Sequence, residues 1–190
     1  MLRALAPATA AFMLVGCGIN SVPTAEEDAK ARWADVQAAY QRRADLIPNL
    51  VATAKGAAQF EERTLSRITE ARAGVAQAQV SPEQLSDPNA VQRFAAAQNA
   101  LTLAYRPLQE AYPQLQSQGN FATLMQQLES TENRININIR DYNQAVQEYN
   151  TRIRTFPDAI GARVIHGAKP LTPFQAVTPG AERAPQVNFG

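Results

Sequence analysis

No proline occurs between Pro113 and Pro157, and the apolar residues of that stretch recur at helical spacing. Leu128, Ile135, Ile139, Tyr142, Val146, Tyr149, Ile153 and Phe156 step by three and four once Glu132 is counted in its place. Such a row lies along one face of an α-helix and does not fit the two-residue period of a strand. A seam of this length needs neighbours to cover it, so the chain must fold as helices packed along their lengths. Alanine supplies 35 of the 190 residues, which favours helices in close contact.

A second seam runs through Trp33, Val36, Tyr40, Ala44, Ile47, Val51, Ala54 and Ala58, and resumes at Leu65, Ile68, Arg72 and Val75. Glu61 interrupts it. The spacing predicts one helix over 25–79, about 80 Å long at 1.5 Å per residue. Pro48 inside it removes an amide donor and crowds the carbonyl of Ala44, so a kink is expected there. Thr24 and Glu27 form a capping box at its start, followed by the acid-before-base pairs Glu26/Lys30 and Asp28/Arg32. Ser81-Pro82 and Asp87-Pro88 each place a capping residue before proline at a first helical position. The second of these opens a helix to about Tyr112, carrying Val91, Phe94, Leu101, Tyr105 and Leu108. The fold class is all-α: an elongated antiparallel bundle of three to four helices over 25–165, with a long kinked first helix. A short piece follows Pro157, and residues 166–190, with His166, Gly167, Pro170, Pro173, Pro179, Gly180 and Pro185, form an irregular tail.

The amino terminus carries a different signal. Met1-Leu2-Arg3 precedes an apolar stretch from Ala4 to Val15, which is too short for a permanent bilayer span. Leu14-Val15-Gly16-Cys17 closes it and resembles the bacterial lipobox. Residues 1–16 therefore read as a secretory signal peptide, and 17–24 as a short tether whose Cys17 is acylated. Several acyl chains on one cysteine suffice for stable anchoring. Gly18 follows, in place of the aspartate that retains lipoproteins at an inner membrane, which points to an outer membrane in a cell that has one. The domain then faces the periplasm or the exterior.

Charge and chemistry exclude more than they offer. Eighteen basic and 17 acidic residues give a net charge of +1, far from the basic excess of a nucleic-acid binder. A single histidine excludes a di-metal bundle site built on two Glu-x-x-His motifs, and a single cysteine, assigned to the anchor, excludes a thiolate nucleophile in the mature domain. No Gly-x-Ser-x-Gly elbow or phosphate-binding loop is present. No cofactor and no metal are expected. Paired carboxylates, for example Glu61 with Glu132, could act as acid and base; amide or arginine partners are the commoner fate of such groups. Arg42, Arg43, Asp45 and Asn49 cluster beside Pro48, either as a recognition patch or, as we favour, with Arg43 or Asn49 satisfying freed carbonyls and pairing with Asp45. Asn133, Asn136, Asn138, Asn143 and Asn150 are expected mostly at the surface, with one or two bonding across the bundle.

Gln41-Arg42-Arg43-Ala44-Asp45-Leu46-Ile47-Pro48-Asn49-Leu50-Val51 resembles the signature of the LemA family. Leu128-Glu129-Ser130-Thr131-Glu132-Asn133-Arg134-Ile135, Asp141-Tyr142-Asn143, Tyr149-Asn150 and Phe156-Pro157 extend the resemblance over about 30–165. The chain departs from it at Ala57 and Phe60, where relatives often carry Tyr and His, and in its lipobox, where they carry a membrane helix. The resemblance implies a membrane-tethered helical bundle facing away from the cytoplasm, without a defined activity, and an envelope partner such as a membrane protease. The reading is a non-catalytic envelope lipoprotein that binds a protein partner. The alternative is a lipid or small-ligand carrier with a pocket between helices near Pro48.

Overall fold

The computed structural model describes residues 5–55, 62–110 and 119–175, and the side chains of 20–55, 62–108 and 119–175. Five α-helices make up the architecture among these residues: α1 (Leu5–Lys55), α2 (Glu62–Gln77), α3 (Pro88–Glu110), α4 (Gly119–Arg152) and α5 (Asp158–Val164). A 3-10 turn, Pro82–Ser86, precedes α3. The fold is all-α, as the periodicity requires, and α4 matches the proline-free stretch closely.

The seam of 25–79 is two helices and not one. Carried on as a single helix, residues 33 and 80 would stand about 70 Å apart. Instead Trp33 Nε1 donates to the carbonyl of Val80 at 3.1 Å, and Gln37 Nε2 donates to the same oxygen at 3.0 Å. The chain has therefore turned back between α1 and α2. Both helices carry the same three-four spacing, so the pattern marks the reversal only by its interruption at Glu61. Glu61, the interruption, lies outside the described residues.

Residues 18–24 differ from expectation as well. They continue α1, with Val22 fully buried. Thr24 consequently caps nothing; its hydroxyl donates to Asn20 O at 2.7 Å inside the helix. Pro23 and Pro48 both lie within α1, which runs through them. Lys30 meets Glu26 at 2.9 Å, and Arg32 stands 3.6 Å from Asp28, so both expected pairs form.

α1 packs chiefly along α4 and α2 along α3, while α5 folds back against α1. The buried side chains form two cores. One gathers Trp33, Val36, Tyr40, Phe94, Ile135, Tyr142, Tyr149 and Phe174. Its rings meet closely: Trp33 lies 5.2 Å from Phe94 and 5.1 Å from Tyr142 between centroids, and Tyr40 lies 5.3 Å from Phe94. The other gathers Ile47, Leu50, Ile68, Leu101, Leu108, Phe121 and Leu128.

Candidate functional site

Between the two cores lies a polar layer centred on Arg43, whose side chain is 3% exposed. Each contributing helix inserts its polar residue between apolar neighbours. On α1, Arg43 sits between Tyr40 and Ile47; on α3, Gln98 sits between Phe94 and Leu101; on α4, Glu132 sits between Leu128 and Ile135. Arg43 Nη1 donates to Glu132 Oε1 and to Thr102 Oγ1, both at 2.9 Å. Nη2 donates to the Gln98 side-chain oxygen at 2.7 Å and to its backbone carbonyl at 3.0 Å. The guanidinium plane covers the Tyr40 ring at 4.8 Å, a cation–π contact strengthened by desolvation. Tyr105 completes the layer, its hydroxyl donating to Glu132 Oε1 at 2.9 Å.

The planar fork of arginine lets one side chain of α1 bond both α3 and α4 at once. Burial pushes the Tyr40 hydroxyl up to about 12, and the nearby Glu132 carboxylate adds to the effect against the opposing pull of Arg43. Burial, reinforced by Glu132, does the same to Tyr105, also to about 12. Both tyrosines are therefore fixed as neutral donors throughout the ordinary pH range.

The predicted cluster beside Pro48 separates. Arg43 turns inward, whereas Arg42, Asp45 and Asn49 are exposed. Asp45 accepts from Gln41 Nε2 at 2.8 Å and does not pair with Arg43. Asn49 uses its carbonyl to accept from the Thr53 hydroxyl. Glu132 is held by Arg43 and Tyr105; Glu61, its expected carboxylate partner, lies outside the described residues. A usable signal was present: a polar residue on the seam position of three helices. Gln98 stands four after Phe94 and three before Leu101, and Arg43 three after Tyr40 and four before Ile47. Cys17 lies in α1, and its side chain is outside the described residues.

A second constellation was not expected. Tyr142-Asn143 recurs seven residues later as Tyr149-Asn150, and the two pairs hold the segment after α5 in extended form. Asn143 Nδ2 donates to Phe174 O at 2.9 Å while its Oδ1 accepts from Phe174 N at 2.7 Å. Asn150 treats Leu171 identically, at 2.8 and 2.9 Å. The hydroxyls of Tyr142 and Tyr149 donate to Thr172 O and Lys169 O, at 2.8 and 3.0 Å. Seven helical residues rise about 10.5 Å, and three extended residues span about 10 Å, so the two periods agree. Thr172 N also donates to Leu85 O at 2.9 Å. Residues 168–174 are thus irregular but fastened, with Leu171 and Phe174 buried. Three of the five asparagines bond to other segments, since Asn138 Nδ2 also donates to Asp35 O on α1 at 2.8 Å. His166 is exposed beyond α5.

Among the described residues no helix is long and apolar enough to cross a membrane. Nor do three or more His, Cys, Asp or Glu converge there as a metal site would require. The space beside the Arg43 layer is about 140 Å³, bounded by Tyr40, Gln98, Thr102, Glu132 and Asn136. A family model described as LemA family matches residues 32–189. No curated protein matches the chain.

Proposed function

We propose that this chain, which belongs to the LemA family, is a non-catalytic envelope lipoprotein that serves as a protein-interaction scaffold. The observation that carries the reading is the closed polar layer. Arg43, Glu132, Gln98, Thr102 and Tyr105 are bonded to one another across three helices. A reacting group needs an open position for substrate, whereas these groups are engaged in helix-to-helix bonds, with Arg43 Nε alone buried without a partner among them. Buried polar groups of this kind fix register between seams that could otherwise slide. The adjoining space is polar and well below the roughly 300 Å³ of a typical small-molecule site, which favours a scaffold over a carrier.

The exposed Arg42, Asp45 and Asn49 remain the candidate contact patch on α1, and an envelope protein such as a membrane protease is the candidate partner. Cys17 supplies the anchor in this reading. Two measurements test it. Cys17→Ser should empty the washed membrane fraction of the protein; an unchanged membrane content overturns the anchor. Crosslinking in intact cells should capture a recurrent partner that is lost with Arg42→Glu or Asp45→Arg. A capture pattern indifferent to both substitutions overturns the patch.

A further inference from the structure

Helix α5 is amphipathic in the wrong direction. The side it presses against the body carries Gly161 and Ala162, both buried, while the large apolar side chains point outward. Val164 is 79% exposed and Phe156 74%, and Ile160 and Ile165 are about half exposed. Ile160 and Val164 stand four apart on α5, the spacing of one helical stripe, and Phe156 lies in the turn just before it. Folding alone does not account for this choice, because a soluble surface helix normally turns its large apolar residues inward. Four of the six large apolar side chains exposed among the described residues gather here, a concentration that marks a contact.

Two observations specify what the patch meets. The first is charge. The segment 152–169 that carries the patch holds Arg152, Arg154, Arg163 and Lys169 against one acid, Asp158, which stands 3.7 Å from Arg152. A net positive segment with exposed Phe, Ile and Val has the composition of one that lies in the interface of an anionic bilayer. The second is position. Asn138 meets Asp35 and Glu132 meets Arg43, so α4 runs antiparallel to α1 and its end falls opposite Val22, where α5 then packs on α1; Val22 follows Cys17 by five residues, a rise of about 7.5 Å in a helix. The patch and the acylated cysteine thus belong to the same end of the bundle.

We infer that α5 with Phe156 and Ile165 forms a membrane foot, a second contact that seats the anchored bundle on an anionic lipid surface. This inference rests on the Cys17 anchor for its geometry. An acyl chain alone leaves a bundle free to tilt and swivel about a flexible point. An apolar foot at the same end removes that freedom and stands the long axis away from the bilayer, with the exposed Arg42, Asp45 and Asn49 held at a distance from the lipid.

The full-length protein, purified from membranes and reconstituted into phosphatidylethanolamine–phosphatidylglycerol vesicles with brominated acyl chains, tests it. Val164→Trp should show blue-shifted emission quenched by the brominated lipid, over the constant background of buried Trp33. Leu103→Trp, at an exposed position on α3 outside the patch, should show neither. A floating protein whose Val164→Trp emission is unquenched overturns the foot and leaves the anchor standing. Failure to float at all overturns both. Quenching that persists in a floating Cys17→Ser chain upholds the foot and removes the lipid anchor. Unquenched but blue-shifted emission that grows with protein concentration would assign the patch to a second copy of the chain, and so also overturns the foot.

Discussion

The two cores solve different packing problems with different residues. The half built on Ile47, Leu50, Leu101, Leu108 and Leu128 joins helices to helices, and nearly all its members are aliphatic. The half built on Trp33, Tyr40, Phe94, Tyr142, Tyr149 and Phe174 must also hold a segment that has no regular structure. An extended segment brings unpaired backbone groups, which burial would penalise. Tyrosine, tryptophan and asparagine answer this because each offers a donor or acceptor beside its apolar or compact body. Trp33 serves the Val80 carbonyl, the tyrosine hydroxyls serve Lys169 and Thr172, and the asparagines serve Leu171 and Phe174. Aliphatic packing suffices where backbone is already satisfied by helices. Polar-tipped rings and amides are needed where it is not.

The largest effect should come from the layer that separates the halves. Arg43→Met leaves the Gln98 carboxamide and part of Glu132 without a partner, at a cost of about 3 kcal/mol, read from urea unfolding. The double variant Arg43→Met/Glu132→Met should be more stable than the single one, because it also removes the carboxylate that the single variant leaves without its arginine. An unchanged midpoint for Arg43→Met would show that the layer does not hold the halves in register.

Alkaline pH should strike the aromatic half first. Burial raises the hydroxyls of Tyr40 and Tyr105 to about 12, and those of Tyr142 and Tyr149 upward as well. The folded state therefore keeps protons that the unfolded chain releases near pH 10. Stability from these groups is complete below that value and falls as pH rises toward the folded values, by up to about 2–3 kcal/mol for Tyr40. Three of the four tyrosines belong to the aromatic half, and two of them hold the tail. Trp33 fluorescence should thus change at lower pH than overall helicity; coincident transitions would count against the distinction.

Legibility from sequence followed the same division. α4, the α1 seam from Trp33 to Ala54 and the start of α3 at Asp87-Pro88 could be read because they are helix against helix, where spacing alone carries the information. The reversal between α1 and α2 could not, since two helices with the same period look like one when the turn residues are few. The grip on 168–174 was hidden for another reason. Tyr142 and Tyr149 read as seam residues and Asn143 and Asn150 as surface ones, and only the distant Leu171 and Phe174 reveal their use. Arg43 was misassigned to Asp45 because the two are close in sequence, whereas its partners come from α3 and α4.

Asn150→Ala offers a more local test. It removes both bonds to Leu171 and leaves a buried amide proton without an acceptor, which should cost about 2 kcal/mol. Hydrogen exchange at Leu171 and Thr172 should accelerate at least tenfold, while amides of α2 and the first half of α3 stay unchanged. Equal acceleration in both halves would mean that they open as one unit.

The smallest expected effect is the control that gives the others meaning. Ile47 is fully buried in the aliphatic half, and Ile47→Val removes one methylene from it without touching any polar group. The cost should be about 1 kcal/mol, the transfer of that methylene plus a small cavity. Because no backbone donor or acceptor depends on Ile47, the loss should appear as a shift in the unfolding midpoint with the exchange rates at Leu171 and Phe174 unaltered below global opening. A local acceleration at those two amides would carry the perturbation from Ile47 through Arg43 into the tail, and the two cores would then have to be treated as a single cooperative body.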